Sequence, residues 1–270
     1  MEKGSLLYID IIDNLIKEFV DSPIDLLDIG DGLGEYKYIE SMRGSYMRTV
    51  LDVLNYCKER GWQDYSKIKV LEVGSFLGVV SISLARLGFV VTALDIPQFN
   101  DNERLKKKYA EDKVSVDAVN LHNLPLPYEI GSFDIVIMCE TLEHLNFNPV
   151  EPLNEIQRVL KREGILYISV PNLACLENRI VLLRGRSIHH PIDYFFKQLD
   201  PKNNMVAGIH WREYTKAEIK ELLERTGFKM VKHYFTDDLN PHTKFARIRK
   251  FLLNFIPQLR VTQIILSLKN

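Results

Sequence analysis

The sequence predicts an α/β protein with a doubly wound, mostly parallel sheet of seven strands. From residue 67 onwards, short apolar runs rich in β-branched residues alternate with amphipathic stretches, and several of these runs have almost no polar face. Strands of that kind are typical of a parallel sheet that is covered by helices on both faces. The 270 residues, of which 46% are hydrophobic, suffice for one large domain with a small helical addition.

The N-terminal part of the chain is predicted to be a helical lid. Apolar residues recur at helical spacing over 5–20 and again over 39–59, which indicates two helices ahead of the sheet. We therefore assign 1–66 to the lid and 67–270 to the main domain. The glycine-rich stretch 27–36, LDIGDGLGEY, has no strand before it, so we expect a mobile connection that orders when substrate binds.

The main domain alternates strands and helices up to Pro171. After a lapse, Thr215 is the predicted N-cap of a helix that two further strands follow. We interpret 171–213 as a substrate-side insertion and 237–260 as a basic amphipathic helix between the last two strands. The predicted elements in chain order are strand 68–73, a helix to Leu87, strand 89–94, a helix near 101–112, strands 114–119 and 133–139, helix 150–162, strand 164–170, helix 216–227, strand 228–235 and strand 261–269.

The bulk composition restricts the classes of partner and compartment. The formal net charge of −1 gives no general attraction to nucleic acid, so we expect no such partner. Three scattered cysteines and the lack of a signal-like N-terminus favour a reducing, cytoplasmic location. The apolar stripe and basic residues of 244–260 are compatible with a membrane surface, although such a stripe more often faces the protein's own core. The oligomeric state stays open.

A second glycine-containing loop, from Gly74 to Gly78, has the context that the first lacks. A strand precedes it, a helix follows it, and the next strand is followed by Asp95. In a doubly wound sheet that arrangement holds a nucleotide-like cofactor, with an acid on its ribose hydroxyls. Phe76 stands where a middle glycine would be expected.

Five segments in this order resemble the class I S-adenosylmethionine-dependent methyltransferases, which have a Rossmann-like fold: VLEVGSFLG, VTALDIP, LPLPYEIGSFDIVIMCETLEHL, VLKREGILYISVPN and REYTKAEIKELLERTGF. The resemblance runs from about residue 67 to 236 and returns in the last strand. It implies S-adenosylmethionine as the cofactor.

The resemblance also implies roles for particular residues. Glu72, the acid of the first strand, orders the loop and reaches the amino group of the cofactor. The backbone of Gly74 and Ser75 faces the methionine moiety, and Asp95, the acid after the second strand, binds the ribose hydroxyls. The side-chain amide of Asn120 lies near the adenine, with Leu121 beside it. Cys139 and Glu140, at the end of the fourth strand, lie near the sulfonium. The implied cofactor contacts are Glu72, Gly74, Ser75, Gly78, Asp95, Ile96, Asn120, Leu121, Cys139 and Glu140.

The segment ETLEHL contains a candidate metal site. If it is helical, Glu140, Glu143 and His144 share one face, and His210 of GIHWREYT is a fourth candidate ligand. This set of oxygen and nitrogen donors suits Mg, Mn or Fe. It is similar to the sets of the small-RNA 2′-O-methyltransferases and of the ubiquinone-pathway O-methyltransferases. The alternative is metal-free catalysis, with His144 or His210 as general base and Glu143 beside them.

The predicted reaction is methylation of a hydroxyl group. A sugar hydroxyl, in glycan or secondary-metabolite biosynthesis, is the first candidate acceptor, because the insertion loosely resembles those of sugar methyltransferases. A phenol or catechol is the second candidate. Two alternatives stay open: a metal-independent small-molecule O- or N-methyltransferase, and a catalytically silent cofactor-binding partner subunit.

Overall fold

A computed structural model describes residues 4–24, 26, 33–197, 209–237 and 253–270. The described residues fall into two compact units. The first unit holds those up to 137 together with 158–165, and the second holds the others.

Seven strands form one sheet, and the predicted doubly wound, mostly parallel fold is confirmed. The strands are β1 Lys69–Val73, β2 Val90–Asp95, β3 Ser115–Ala118, β4 Phe133–Cys139, β5 Leu160–Pro171, β6 Phe228–Thr236 and β7 Thr262–Lys269. Their order is β3-β2-β1-β4-β5-β7-β6. β1 pairs in parallel with β2 and β4, β2 pairs in parallel with β3, and β6 is antiparallel to β7.

Ten α-helices are assigned within the described ranges. They are α1 Gly4–Asp21, α2 Leu33–Ser41, α3 Arg43–Glu59, α4 Val79–Arg86, α5 Pro97–Asn100, α6 Glu103–Glu111, α7 Val150–Val159, α8 Leu176–Leu183, α9 Asp193–Lys197 and α10 Lys216–Arg225.

Within the described ranges, three α-helices precede the sheet, and the prediction of two was wrong. The single helix predicted over 39–59 is divided at Met42 into α2 and α3. The hydroxyl of Ser41 donates to the carbonyl of Tyr38 at 2.7 Å, and the same carbonyl accepts the N–H of Met42 at 2.9 Å. The short helix α5 was also not predicted.

The predicted helix 150–162 extended too far. α7 ends at Val159 and β5 begins at the next residue. The ammonium of Lys161 lies 2.8 Å from both carboxylate oxygens of Asp134, and Glu163 has a left-handed φ of 60°. A tertiary ion pair and a left-handed residue therefore replace the last helical turn that the apolar spacing indicated.

Helix α1 is bound to the first unit by an apolar face and an ion-pair network. Residues Ile12, Leu15 and Phe19 are buried. Glu18 accepts two hydrogen bonds of 2.8 Å from the guanidinium of Arg86 in α4 and lies 2.6 Å from the ammonium of Lys108 in α6. Hydrogen bonds from Arg86 lower the pKa of Glu18 from 4.5 to about 2.

We expect the Glu18→Gln variant to be less stable than the wild type at pH 7. The loss should be no more than about 1 kcal/mol, because the carboxylate is partly exposed and screened. Because the pKa of Glu18 is lower in the folded state, its carboxylate adds to the free energy of unfolding. This contribution is at its full size above the unfolded-state pKa of 4.5 and is lost as the pH falls towards 2. Urea unfolding between pH 7 and pH 2 checks this: the difference between the two proteins should shrink below about pH 5, and a difference independent of pH would contradict it.

The second unit contains the β6–β7 pair and helix α10. α10 begins at a capping box, in which Thr215 accepts the N–H of Glu218 at 3.3 Å and Glu218 accepts the N–H of Thr215 at 2.8 Å. The predicted N-cap at Thr215 is confirmed. Ile219 and Leu223 of α10 are buried.

Parts of three predicted segments lie outside the described residues. They are 27–32 of the predicted mobile connection, 198–208 of the insertion and 238–252 of the predicted basic helix. The connection is shorter than predicted, because α2 already begins at Leu33. Among the helices of the described ranges, none has the length and apolarity that crossing a bilayer requires.

Candidate active site

The loop between β1 and α4 holds the predicted cofactor-binding glycines. Gly74 and Gly78 have left-handed φ angles of 79° and 71°. The N–H groups of Gly74 and Ser75 donate to the carbonyl of Leu94 at 2.8 and 3.3 Å, so the loop is bound to the end of β2. Gly78 is the N-cap of α4, which places the free N–H groups of the first helical turn at this loop.

Gly78 cannot be replaced by a larger residue without displacing Tyr109. A Cβ at this position would overlap the buried Tyr109 ring. The hydroxyl of Tyr109 donates to the Ser75 hydroxyl at 3.1 Å. Tyr109 therefore supports the loop from below and fixes the need for glycine at Gly78.

Phe76 adopts the backbone conformation that a glycine would adopt at this position. Its φ is +48°, which is uncommon for a residue with a side chain. Its N–H donates to a carboxylate oxygen of Asp95 at 2.7 Å, and its ring makes edge contacts with Tyr38 and Phe99. The departure from the glycine pattern therefore preserves the course of the loop, and ring contacts offset the backbone strain.

We expect Phe76→Gly to be at least as stable as Phe76→Ala. Both variants lose the ring contacts, but only alanine keeps the strain of the positive φ, which amounts to about 1 kcal/mol. Urea unfolding of the pair checks the order. Lys107, an exposed position in α6, provides the control. There the alanine variant should be more stable than the glycine variant by about 0.5–1 kcal/mol. An alanine variant that is clearly more stable than the glycine variant at position 76 would contradict the strain.

Two buried carboxyl groups flank the loop. Burial raises the pKa of Glu72 to about 8, although the hydroxyl of Ser81 donates to it. Burial raises the pKa of Asp95 to about 6, although its two oxygens accept the N–H groups of Phe76 and Ile96, both at 2.7 Å. Buried carboxyls with raised pKa values favour a ligand that brings hydrogen-bond donors or positive charge.

The next loop along the same sheet edge carries the last cofactor candidates of the first unit. The N–H of Val119 donates to the carbonyl of Asp95 at 2.8 Å, which joins the ends of β2 and β3. Asn120 accepts the N–H of His122 at 2.8 Å through its side-chain oxygen, and Leu121 is buried. All eight candidates of this unit therefore lie at the carboxyl ends of β1, β2 and β3 or in the loops that follow them.

The two remaining cofactor candidates end strand β4, in the second unit. Cys139 is half-buried. Glu140 has a left-handed φ of 46°, its N–H donates to the carbonyl of Ser169 at 2.8 Å, and its carboxylate accepts the Ser169 hydroxyl at 2.5 Å. Strained backbone of this kind is concentrated at functional sites.

The segment after β4 forms a single 3₁₀ turn, Leu142–His144, and not the α-helix on which the predicted shared face depended. Glu140 precedes this turn. The Glu143 side chain is fully buried, and its carboxyl oxygens receive no hydrogen bond from the described residues. Burial, with the charge of Glu140 beside it, raises the pKa of Glu143 well above 4.5.

Hydrogen bonds fix the two histidines. Nδ1 of His144 lies 2.9 Å from the carbonyl oxygen of Ile209, so Nδ1 carries the proton and Nε2 keeps its lone pair, 3.8 Å from a Glu143 oxygen. Burial lowers the pKa of His144 to about 4. Nδ1 of His210 lies 3.0 Å from Glu213, and the two imidazole centroids are 5.0 Å apart.

Three of the four predicted metal ligands come together. One ligand atom from each of Glu143, His144 and His210 lies within 4.8 Å of the others. Glu140 is outside this set: one of its oxygens accepts the hydroxyl of Ser169, and its carboxyl lies beside that of Glu143. One carboxylate and two imidazoles are common ligands of divalent transition metals, and the carboxyl of Glu143 lacks a donor. The three residues therefore fit a divalent cation.

Comparison with known proteins identifies the family. Residues 38–233 match the model of the family described as "Methyltransferase domain". The chain belongs to this methyltransferase domain family. The predicted membership of the class I S-adenosylmethionine-dependent methyltransferases is thereby confirmed.

Two curated relatives of this methyltransferase are ubiquinone biosynthesis O-methyltransferases. That of Xanthomonas oryzae pv. oryzae (strain PXO99A) is 34% identical over 140 residues, which cover 48% of this chain and 58% of the relative. That of Glaesserella parasuis serovar 5 (strain SH0165) is 26% identical over 172 residues, which cover 55% of this chain and 71% of the relative. The methyltransferase thus spans less than two thirds of the Xanthomonas protein's length.

A solved structure supports the fold. Magnesium protoporphyrin IX methyltransferase from Synechocystis PCC 6803, with bound SAH, superposes on this methyltransferase with a TM-score of 0.56 at 18% sequence identity. The match covers 86% of this chain and 87% of that one.

Sequence reasoning missed several supporting residues of the methyltransferase. Ser169 and Glu213 hold the side chains of Glu140 and His210, and Tyr109 supports the cofactor loop. Glu213 stands three residues after His210, and that spacing is a signal that could have been noticed. The others lie far away in sequence from the residues that they hold, so no local pattern points to them.

Proposed function

We propose that this methyltransferase transfers the methyl group of S-adenosylmethionine to a hydroxyl oxygen of a small molecule, assisted by a divalent cation on Glu143, His144 and His210. The observation that carries the proposal is the fully buried Glu143 carboxyl, which has no donor among the described residues and lies 3.8 Å from Nε2 of His144. A buried carboxylate is stable only with a proton or a cation beside it. Amine methylation would need no such group.

The cofactor side of the proposal rests on Asp95 and Glu72. S-adenosylmethionine, when bound, supplies an electrophilic methyl group on a positively charged sulfur. Each oxygen of Asp95 has a second lone pair for a ribose hydroxyl beyond its bond to Phe76 or Ile96. The positive charge of the bound methionine moiety would lower the raised pKa of Glu72, so that the carboxylate, buried against Ser81, would stabilise this charge. By the family pattern, the loop of Gly74, Ser75 and Gly78 faces the methionine moiety. Asn120, which stands where the family often has an aspartate, lies with Leu121 beside the adenine.

The acceptor side of the proposal lies in the second unit. A divalent cation, when bound, would lower the pKa of an acceptor hydroxyl and so supply its alkoxide at neutral pH. Glu143 would contribute the negative charge, and His144 would contribute the lone pair that its bond to Ile209 leaves on Nε2. The lowered pKa keeps His144 neutral at pH 7, as a ligand must be. Two imidazoles favour Mn or Fe over Mg, which prefers oxygen ligands.

The acceptor we propose carries two neighbouring oxygens, as a sugar diol or a catechol does. Such a pair can share one cation while one of the oxygens is methylated. Trp211, the residue after His210, and Phe195 stack with centroids 5.9 Å apart and 9° between their planes, and both rings are partly exposed. An exposed ring pair suits either a sugar face or an aromatic ring. The sugar is the first candidate and the catechol the second, while the relatives' names favour oxygen over nitrogen.

A methyl-transfer assay with the full chain tests this proposal. Purified protein receives labelled S-adenosylmethionine and a panel of sugars, catechols, simple phenols and amines, with EDTA or with added Mn²⁺. We expect transfer to a diol or catechol that EDTA abolishes and Mn²⁺ restores. Transfer that EDTA leaves unchanged would replace the cation with His144 or His210 as the base. Transfer only to amines would contradict the proposal, and cofactor binding without any transfer would favour a silent partner subunit.

A further inference from the structure

The side chain of His210 is held by a second acid, the half-buried Glu213 at the start of the segment REYTKAEIKELLERTGF. Its Nδ1 lies 3.0 Å from one oxygen of Glu213, and the other oxygen of Glu213 accepts a hydrogen bond of 2.8 Å from the side-chain amide of Asn178. The same amide donates to the carbonyl of Leu173 at 3.1 Å. The carboxylate of Glu213 is therefore fixed from both sides, and its side chain is only 16% exposed.

The backbone on either side of His210 is already fixed without Glu213. The carbonyl of Ile209 accepts from His144, and the N–H of Trp211 donates to the carbonyl of Glu143 at 2.7 Å. These bonds place the His210 backbone beside the acid and the other histidine. They leave the rotation and the tautomer of the His210 ring undetermined, and Glu213 is the group that contacts this ring through a hydrogen bond.

We propose that Glu213 is a positioning residue, which holds His210 in the tautomer with its proton on Nδ1 and its lone pair on Nε2. The inference rests on the proposed role of His210 as a ligand. A carboxylate can only accept a hydrogen bond, so contact with Glu213 excludes a lone pair on Nδ1. Asn178 prevents Glu213 from turning away, and the relay Asn178–Glu213–His210 thus presents Nε2 as a donor atom before any ion or substrate arrives.

Glutamine at position 213 separates positioning from simple packing. It keeps the size of the side chain, but an NH₂ group, which cannot accept a hydrogen bond, takes the place of one of the two oxygens that face His210 and Asn178. The Glu213→Asp variant keeps the charge and shortens the reach by one methylene group. Glu221→Gln, at an exposed position of α10, is the matched control.

The test is the nitrogen-15 spectrum of the His210 ring, assigned by comparison with His210→Gln, in full-length protein free of metal, cofactor and acceptor. We expect wild type and Glu221→Gln to give the pattern of the Nδ1–H tautomer, and Glu213→Gln and Glu213→Asp to give mixed tautomers. A wild-type pattern in a folded Glu213 variant would overturn the inference. If both Glu213 variants fail to fold, the wild-type spectrum decides. An Nδ1–H pattern of His210 in the wild-type protein would then support the inference, and any other pattern would overturn it.

A binding measurement distinguishes this inference from the proposed function. If His210 is a ligand, Mn²⁺ should bind the Glu213 variants about 10–100-fold more weakly than it binds wild type, while S-adenosylhomocysteine binds equally. Should wild type fail to bind Mn²⁺, the cation in the proposed function is wrong, and the ring spectrum alone decides the role of Glu213. If folded variants with mixed His210 tautomers bind Mn²⁺ as tightly as wild type does, Glu213 does not aid Mn²⁺ binding through His210. That result would overturn this part of the inference.

Discussion

The Glu143→Gln variant should lose about 10²–10⁴-fold in kcat, the range that activation of a reacting hydroxyl contributes. Glutamine keeps the shape of the side chain. Its amide, however, has no negative charge to bind a divalent cation and does not take up a proton as a carboxylate does. Steady-state methyl transfer and Mn²⁺ titration of the same preparation measure the two consequences. We expect weak or no Mn²⁺ binding and a KM for S-adenosylmethionine close to that of wild type.

Stability provides the control for this variant. The carboxyl of Glu143 is buried beside Glu140 without a donor, so a neutral amide should leave the free energy of unfolding unchanged or raise it. Glu151→Gln, on the exposed start of α7, should alter neither activity nor stability. A Glu143→Gln protein that is fully active, or that loses activity only in proportion to a loss of folded protein, would contradict the role of Glu143.

The Asp95→Asn variant should bind S-adenosylhomocysteine roughly 100-fold more weakly, because two hydrogen bonds between a charged acceptor and the ribose hydroxyls are lost, at about 1.5 kcal/mol or more each. Isothermal titration of wild type and variant measures the change directly. Asp101→Asn, in the turn after α5, is a matched control and should bind as wild type does.

Asp95 also accepts the N–H groups of Phe76 and Ile96, so its replacement could weaken binding through the loop alone. A ligand lacking both ribose hydroxyls separates the two effects in a double-mutant cycle. The variant and the wild type should bind this ligand with nearly equal affinity. If Asp95→Asn weakens the dideoxy ligand as strongly as the natural one, the carboxylate acts on the loop and not on the ribose.

The sequence was most informative where the physical constraint was local. Apolar runs of β-branched residues predicted the strands because buried parallel strands need them on both faces. The order strand, glycine loop, helix, strand and acid located Asp95 correctly at the end of β2. Thr215 was predictable as an N-cap because Glu218 completes a capping box three residues later.

Features that depend on distant contacts were not predictable in this way. Phe76 takes a left-handed conformation because Asp95, Tyr38 and Phe99 hold it there, whereas its own preference opposes it. After β4 the chain forms a 3₁₀ turn, Leu142–His144, and not the α-helix on which the shared face depended.

The candidate site itself was predicted in part. Its acid and two histidines were recognisable from residue type and spacing, and three of them do come together. Glu140 is not one of these three: one of its oxygens accepts the Ser169 hydroxyl, a contact that no local pattern in the sequence indicates.

The position of the transferred methyl group tests the central claim most directly. Protein incubated with S-adenosylmethionine labelled with carbon-13 in its methyl group, Mn²⁺ and the best acceptor of the panel gives a product whose methyl carbon can be observed by NMR. We predict a chemical shift and carbon–proton couplings that place the label on an oxygen next to a second hydroxyl. A label on nitrogen, or no transferred label although the cofactor binds, would contradict the account.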